Sequence, residues 1–121
     1  MELLHEVAGY ILAGFFAVMF LWGVYGLLTR KPLRTVFWRA VLAVEVVLVL
    51  EAIAGASLYL SGRRGVELHY IYALALLAIV GGAHALASGM KRERDAQKLM
   101  TAAALAALLL AFRAITTGEG A

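Results

Sequence analysis

Residues 68–87 read LHYIYALALLAIVGGAHALA, and this stretch decides the fold class. It holds no Asp, Glu, Lys or Arg, and about 20 such residues are enough to cross a bilayer as an α-helix. Two of the three histidines of the chain lie in it, His69 at one end and His84 near the other. On a helix the two are about 22 Å apart and their rings project within roughly 60° of each other. One face of this predicted helix therefore carries an imidazole near each side of the membrane.

The rest of the chain has the same apolar character. Hydrophobic residues make up 64% of the 121 residues, and the mean hydropathy is +0.88. A soluble domain of this size cannot bury so much apolar surface. The predicted spans are residues 7–28, 36–60, 68–88 and 98–117, and their short connections make neighbouring helices antiparallel. We therefore expect a single-domain, all-α integral membrane four-helix up-down bundle, with the first and third helices on a diagonal.

The basic residues are divided unequally among the connections. The second connection holds only Arg63 and Arg64, whereas eight Lys or Arg residues lie in or beside the first and third. By the positive-inside rule the first and third connections are cytoplasmic and both termini are outside. We expect a multi-pass protein of the inner (plasma) membrane of a prokaryote. Since the basic residues lie where membrane topology places them, nucleic-acid binding is not expected. The eight residues are Arg30, Lys31, Arg34, Arg39, Lys91, Arg92, Arg94 and Lys98.

Cysteine is absent from the chain. This excludes disulfides, thiolate metal ligands, iron–sulfur clusters and thiol chemistry. A bound metal would have to be held by imidazole, thioether or carboxylate. The acidic start of the chain, with no small-residue cleavage site after a short apolar core, predicts that the first apolar stretch is retained as a span.

His5 and His69 begin the first and third predicted spans on the same side of the membrane. Two imidazoles at equal depth on facing helices can hold a haem iron from both sides. Each is followed four residues later by a small residue, Gly9 or Ala73, which lies one turn deeper on the same face and leaves space for a porphyrin edge. Two alternatives stay open. Both histidines can be interfacial residues in contact with water and headgroups, or they can serve another metal or a proton-handling role.

His84 has weaker candidate partners. Met19 follows His5 by fourteen residues, much as His84 follows His69 by fifteen, and methionine is a known haem ligand, so a second iron site at His84 and Met19 is conceivable. A methionine in an apolar span is more often a core residue. Glu45 lies at a depth similar to that of His84. A pair of these two residues would satisfy both groups and could relay protons, and His84 could also serve a quinone site.

Apart from Arg39 and Lys98 near the span ends, three formal charges lie inside the predicted spans, namely Glu45, Glu51 and Arg113. Each costs roughly 3 kcal/mol on insertion scales, so it is expected to face the bundle interior with a partner. Arg113 could pair with Glu51, neutralise a haem propionate or extend to the outer surface. Arg63 and Arg64 could also neutralise propionates. Glu45 and Glu51 project about 240° apart on a helix, so they are not expected to share one site.

Three patches carry a resemblance to known proteins: His5-Glu-Val-Ala-Gly9, Leu68-His69-Tyr-Ile-Tyr-Ala73 and Gly81-Gly-Ala-His84. Together with the helix plan, they resemble small four-helix b-type membrane cytochromes and, loosely, one half of haem A synthase. The Glu-x-x-x-Arg-His pattern of the synthase is missing, which argues against that catalysis. The resemblance implies a haem b held by His5 and His69.

Three functions follow from these patterns as hypotheses. The first is a haem-b-binding protein in electron transfer, linked to quinone. The second is a cofactor-free accessory or structural subunit of a larger respiratory or photosynthetic membrane complex. The third is a small transporter that uses Glu45, Glu51 and Arg113. The sequence leaves open whether the protein is an enzyme and whether it forms homo-oligomers.

Overall fold

The computed structural model describes residues 2–31, 35–62 and 67–119, with side chains described for residues 5–31, 35–62 and 70–116. Within these ranges the chain forms a four-helix bundle, which confirms the predicted all-α fold class. The helices are α1 (Glu2–Leu28), α2 (Thr35–Leu60), α3 (Glu67–Ser88) and α4 (Glu93–Glu119). Helix α4 begins before residue 98, the predicted start of the fourth span, and its first turn carries Glu93 and Asp95, whose negative charge favours a helix N-terminus.

The four helices surround one core in chain order. Helix α1 packs against α2 and α4, and α3 packs against the same two helices. Within the described residues, α1 and α3 do not contact each other, so they lie across the diagonal as the sequence predicts. Helix α4 packs extensively on α1 and α3, whereas α2 has fewer contacts with its two neighbours. Helices α1, α3 and α4 therefore form a tight unit against which α2 is more loosely placed.

Small residues explain the tight packing of α4. Its buried side chains are largely alanines, and Gly23 of α1 lies directly against Thr101 of α4. A Cβ atom at Gly23 would overlap the hydroxyl of Thr101, so this crossing needs glycine. Small residues at such contacts let membrane helices approach closely. The buried alanines of α4 are Ala96, Ala103, Ala104, Ala107, Ala111 and Ala114.

Polar side chains join the end of α1 to the start of α4. Arg30 adopts a φ of 56°, the left-handed conformation that often terminates a helix. The Gln97 side chain, which is 2% exposed, donates from Nε2 to the carbonyl oxygen of Lys31 at 3.0 Å. Arg94 donates to the carbonyl oxygen of Leu27. These bonds tie the C-terminal end of α1 and the residues that follow it to the start of α4. We call the end of the bundle that carries Arg30, Lys31 and Arg94 the basic end.

All four helices are long and apolar enough to cross a membrane, over His5–Leu28, Thr35–Leu60, Tyr70–Ser88 and Glu93–Thr116. The outer surface of the bundle is also apolar. Large aliphatic and aromatic side chains project from every helix, which suits contact with lipid and not with water. These are the features of a multi-pass membrane protein. Exposed side chains of this kind include Val18, Leu21, Val46, Leu50, Leu74, Leu86, Leu109 and Phe112.

Candidate functional site

Two adjacent columns of side chains on α2 carry its two glutamates. Residues separated by multiples of seven point in nearly the same direction on a helix. Phe37 and Glu51 form one column and contact α1, whereas Trp38 and Glu45 form the next column and contact α3. Each glutamate of α2 thus meets a histidine on a different neighbouring helix.

His84 of α3 is held between two side chains of α2. Its Nδ1 lies 2.8 Å from Oε1 of Glu45, a hydrogen-bond distance. The Trp38 indole is stacked beside the imidazole, with ring centroids 6.1 Å apart and an interplanar angle of 20°. The His84 and Glu45 side chains are 25% and 21% exposed. When Nδ1 donates to the carboxylate, Nε2 is left to bond another group, as acceptor in neutral histidine or donor in the imidazolium form.

A cleft of about 360 Å³ runs between α2 and α3 beside this pair. This volume lies within the range of small-molecule sites, about 300–1,000 Å³. The cleft opens on the outer surface of the bundle, since Gly81, Ala85 and Ser88 of its lining are exposed. Its polar groups lie toward the basic end and its apolar groups lie deeper in the bundle. The lining consists of Glu45, Leu48, Val49, Leu77, Gly81, His84, Ala85 and Ser88.

His5 of α1 makes the corresponding contact with Glu51, about 9 Å further along α2 than Glu45. Its buried Nδ1 lies 3.2 Å from Oε2 of Glu51, within ion-pair distance but without the alignment of a hydrogen bond. The ring edge that carries Nε2 lies against Gly55: a Cβ atom built there would be 3.7 Å from Nε2 and 3.2 Å from Cε1. The imidazole of His5 therefore faces α2. Sequence reasoning did not pair His5 with Glu51, although an antiparallel α1–α2 arrangement places both residues near the same end.

The predicted haem ligands are only partly described. His69 lies in the first turns of α3, but its side chain lies outside the described residues, as do Arg63 and Arg64. His5 would have to turn from Glu51 toward the diagonal helix to share an iron with His69. Among the described side chains, no group of three or more His, Asp or Glu residues could hold a metal ion. Haem ligation by His5 and His69 stays a prediction.

The other predicted site residues have separate surroundings. Arg113 is exposed, and its guanidinium carbon lies 5.7 Å from the centroid of the Tyr72 ring, a cation–π distance. Met19 is 3% exposed and belongs to the hydrophobic core. Glu51, for which Arg113 was one expected partner, lies beside His5. The structure thus brings together Glu45 and His84 on the half of α2 nearer the basic end, and Glu51 and His5 about 9 Å further along the helix.

The two His–Glu pairs differ in their surroundings. The His84–Glu45 pair lies on the wall of a cleft, with an aromatic ring that fixes the imidazole. The His5–Glu51 pair lies against the backbone at Gly55. The first arrangement can present a titratable group to a ligand, whereas the second joins two helices. Comparison of the chain with protein-family models, with curated proteins and with solved structures finds no significant match.

Proposed function

We propose that this multi-pass membrane protein exchanges protons within the bilayer through the Glu45–His84 pair at the α2–α3 cleft. The observation that carries the proposal is the 2.8 Å contact between the carboxylate and the imidazole, on the wall of a cleft and within two candidate spans. Histidine is the side chain that changes its charge most readily near neutral pH. The carboxylate of Glu45 lies within hydrogen-bond distance of the imidazole, so the pair can pass a proton between its two groups and a ligand.

A purely structural pair would be expected in the packed core. Glu45 and His84 instead lie where α2 and α3 leave a cleft. A charged group in a span costs roughly 3 kcal/mol, and ionisable residues there typically mark proton or substrate paths. Proton exchange inside the membrane suits both electron transfer and transport, the two active roles that the sequence suggests. With the basic end in the cytoplasm, as the charge distribution predicts, the site lies in the cytoplasmic half of the bilayer.

The stacked indole of Trp38 gives a direct test. The chain has two tryptophans, so Trp22→Phe leaves Trp38 as the only indole. An imidazolium in contact with an indole quenches its fluorescence, whereas neutral imidazole quenches weakly. In nanodiscs, the emission of the Trp22→Phe protein is expected to fall as the pH is lowered.

Second substitutions in this background identify the titrating pair. His84→Gln is expected to abolish the pH dependence and Glu45→Gln to alter it. Glu51→Gln is the matched control, because it changes a carboxylate of the same helix that contacts His5, and it should leave the profile unchanged. An unaltered profile in the His84→Gln variant would overturn the proposal.

A further inference from the structure

We propose that the α2–α3 cleft binds the ring of a lipid-soluble quinone. This inference rests on the proposed proton-exchange function, because it makes Glu45 and His84 the hydrogen-bonding groups of the ligand site. The ligand is a planar ring with oxygen substituents, and it enters the cleft from the lipid. Shape, polarity and access each support it.

The shape of the cleft fits a planar ring. Gly81 and Ala85 lie one helical turn apart on α3 and both line the cleft. Because both residues are small, this wall of the cleft is nearly flat. A Cβ atom built at Gly81 would meet no atom within 4 Å. The absence of a side chain at Gly81 therefore leaves open space in the cleft. It does not serve a close contact between two helices. A flat ring can lie against this surface, whereas a leucine there would project into the cleft.

The polarity of the cleft fits a ring with oxygens at one end and a hydrocarbon tail at the other. Toward the basic end, His84 offers Nε2, which accepts from a hydroxyl or donates to a carbonyl according to its protonation. Ser88 donates its hydroxyl proton to the carbonyl oxygen of His84 at 2.8 Å, so its own oxygen can accept from a ligand hydroxyl. Quinones present carbonyls and quinols present hydroxyls, and these partners serve both. Deeper in the bundle, Leu48 and Leu77 suit the tail.

Access to the cleft is from the lipid. Its opening lies on the outer surface of the bundle, where the exposed side chains are apolar, and α2 and α3 have the least contact of all adjacent helix pairs. A ligand dissolved in the bilayer can reach the site without entering water. A cationic amphiphile is a poorer fit, because the carboxylate of Glu45 already bonds His84.

The test uses decylubiquinone and the Trp22→Phe protein in nanodiscs. Quinones quench indole fluorescence at close range, and Trp38 is stacked on His84, so binding should give saturable quenching. In this background, Gly81→Leu is expected to weaken binding at least tenfold. Gly82→Leu is the matched control: its Cβ atom also meets nothing within 4 Å, but Gly82 does not line the cleft, so binding should be unchanged.

Two results with decylubiquinone would overturn the inference. One is the absence of saturable quenching in the Trp22→Phe protein, and the other is equal affinity in the Gly81→Leu variant. Saturable binding of tetraphenylphosphonium without binding of decylubiquinone would assign the cleft to cations and would also overturn it. The pH profile of Trp38 emission, measured in the same samples, reports the proposed proton exchange separately. A retained profile in Gly81→Leu shows that the variant is folded and that only ligand binding is lost.

Discussion

The two His–Glu pairs on α2 are expected to stabilise the bundle unequally. His84 and Glu45 form a hydrogen bond of 2.8 Å, whereas His5 and Glu51 approach to 3.2 Å without hydrogen-bond alignment. The side chains are similarly shielded, 25% and 21% exposed in the first pair and 23% and 13% in the second. Burial therefore does not separate the pairs, and the geometry of the contact does.

The expected coupling energy within each pair follows from the geometry of its contact. A hydrogen bond with a charged partner contributes about 1.5–3 kcal/mol net, so the coupling energy between Glu45 and His84 should be about 2 kcal/mol. This corresponds to about a 30-fold change in the unfolding equilibrium, since about 1.4 kcal/mol is tenfold. The contact between His5 and Glu51 lacks an aligned hydrogen bond, so its coupling energy should be smaller than that between Glu45 and His84.

Two double-mutant cycles measure these energies. Each cycle compares the wild type, both single alanine variants and the double variant by reversible unfolding in mixed micelles. Alanine leaves a cavity at each position, but the cycle removes that contribution to the extent that the sites are otherwise independent. A coupling energy below about 0.5 kcal/mol for Glu45 and His84 would refute the reasoning. So would a larger coupling for His5 and Glu51 than for Glu45 and His84.

Three further predictions concern the packing, the topology and the haem. Gly23→Ala should lower the free energy of unfolding by about 1–3 kcal/mol through overpacking against Thr101, whereas Gly14→Ala, where a Cβ meets nothing within 4 Å, should have little effect in the same unfolding assay. A reporter enzyme that works only outside the cytoplasm should be active when it is fused to the C-terminus. Activity there of a reporter that works only in the cytoplasm would contradict the predicted orientation. Haem ligation predicts a bis-imidazole spectrum that is lost in His5→Ala and in His69→Ala, and a colourless wild type produced with ample haem would exclude it.

The sequence was sufficient for the helices and their arrangement. Four apolar stretches joined by short connections permit few other folds, and the same connections place α1 and α3 on the diagonal. The Glu45–His84 contact was a reasonable expectation, because antiparallel α2 and α3 bring the two residues to similar depth.

Other features depend on contacts that a hydropathy pattern does not contain. Helix α4 begins at Glu93, because its polar first turns pack on α1, with Gln97 bonded to the carbonyl of Lys31. The helix toward which the His5 side chain points depends on the rotation of α1 about its own axis. A helix that is apolar on all sides leaves that rotation to tertiary packing. The cleft depends on the absence of a side chain at Gly81. Composition alone does not show whether a glycine in a span leaves an open cleft or lets two helices pack closely.

The proposed exchange moves a proton onto and off the Glu45 carboxylate within the membrane, beside His84. Infrared difference spectroscopy of the protein in lipid vesicles, recorded between acidic and alkaline pH, detects the carbonyl band of protonated carboxyl groups. Glu45→Gln should remove one such band, His84→Gln should alter it, and Glu51→Gln should leave that band in place. A set of carboxyl bands that is identical in the wild type and in the Glu45→Gln variant would contradict proton exchange at this carboxylate.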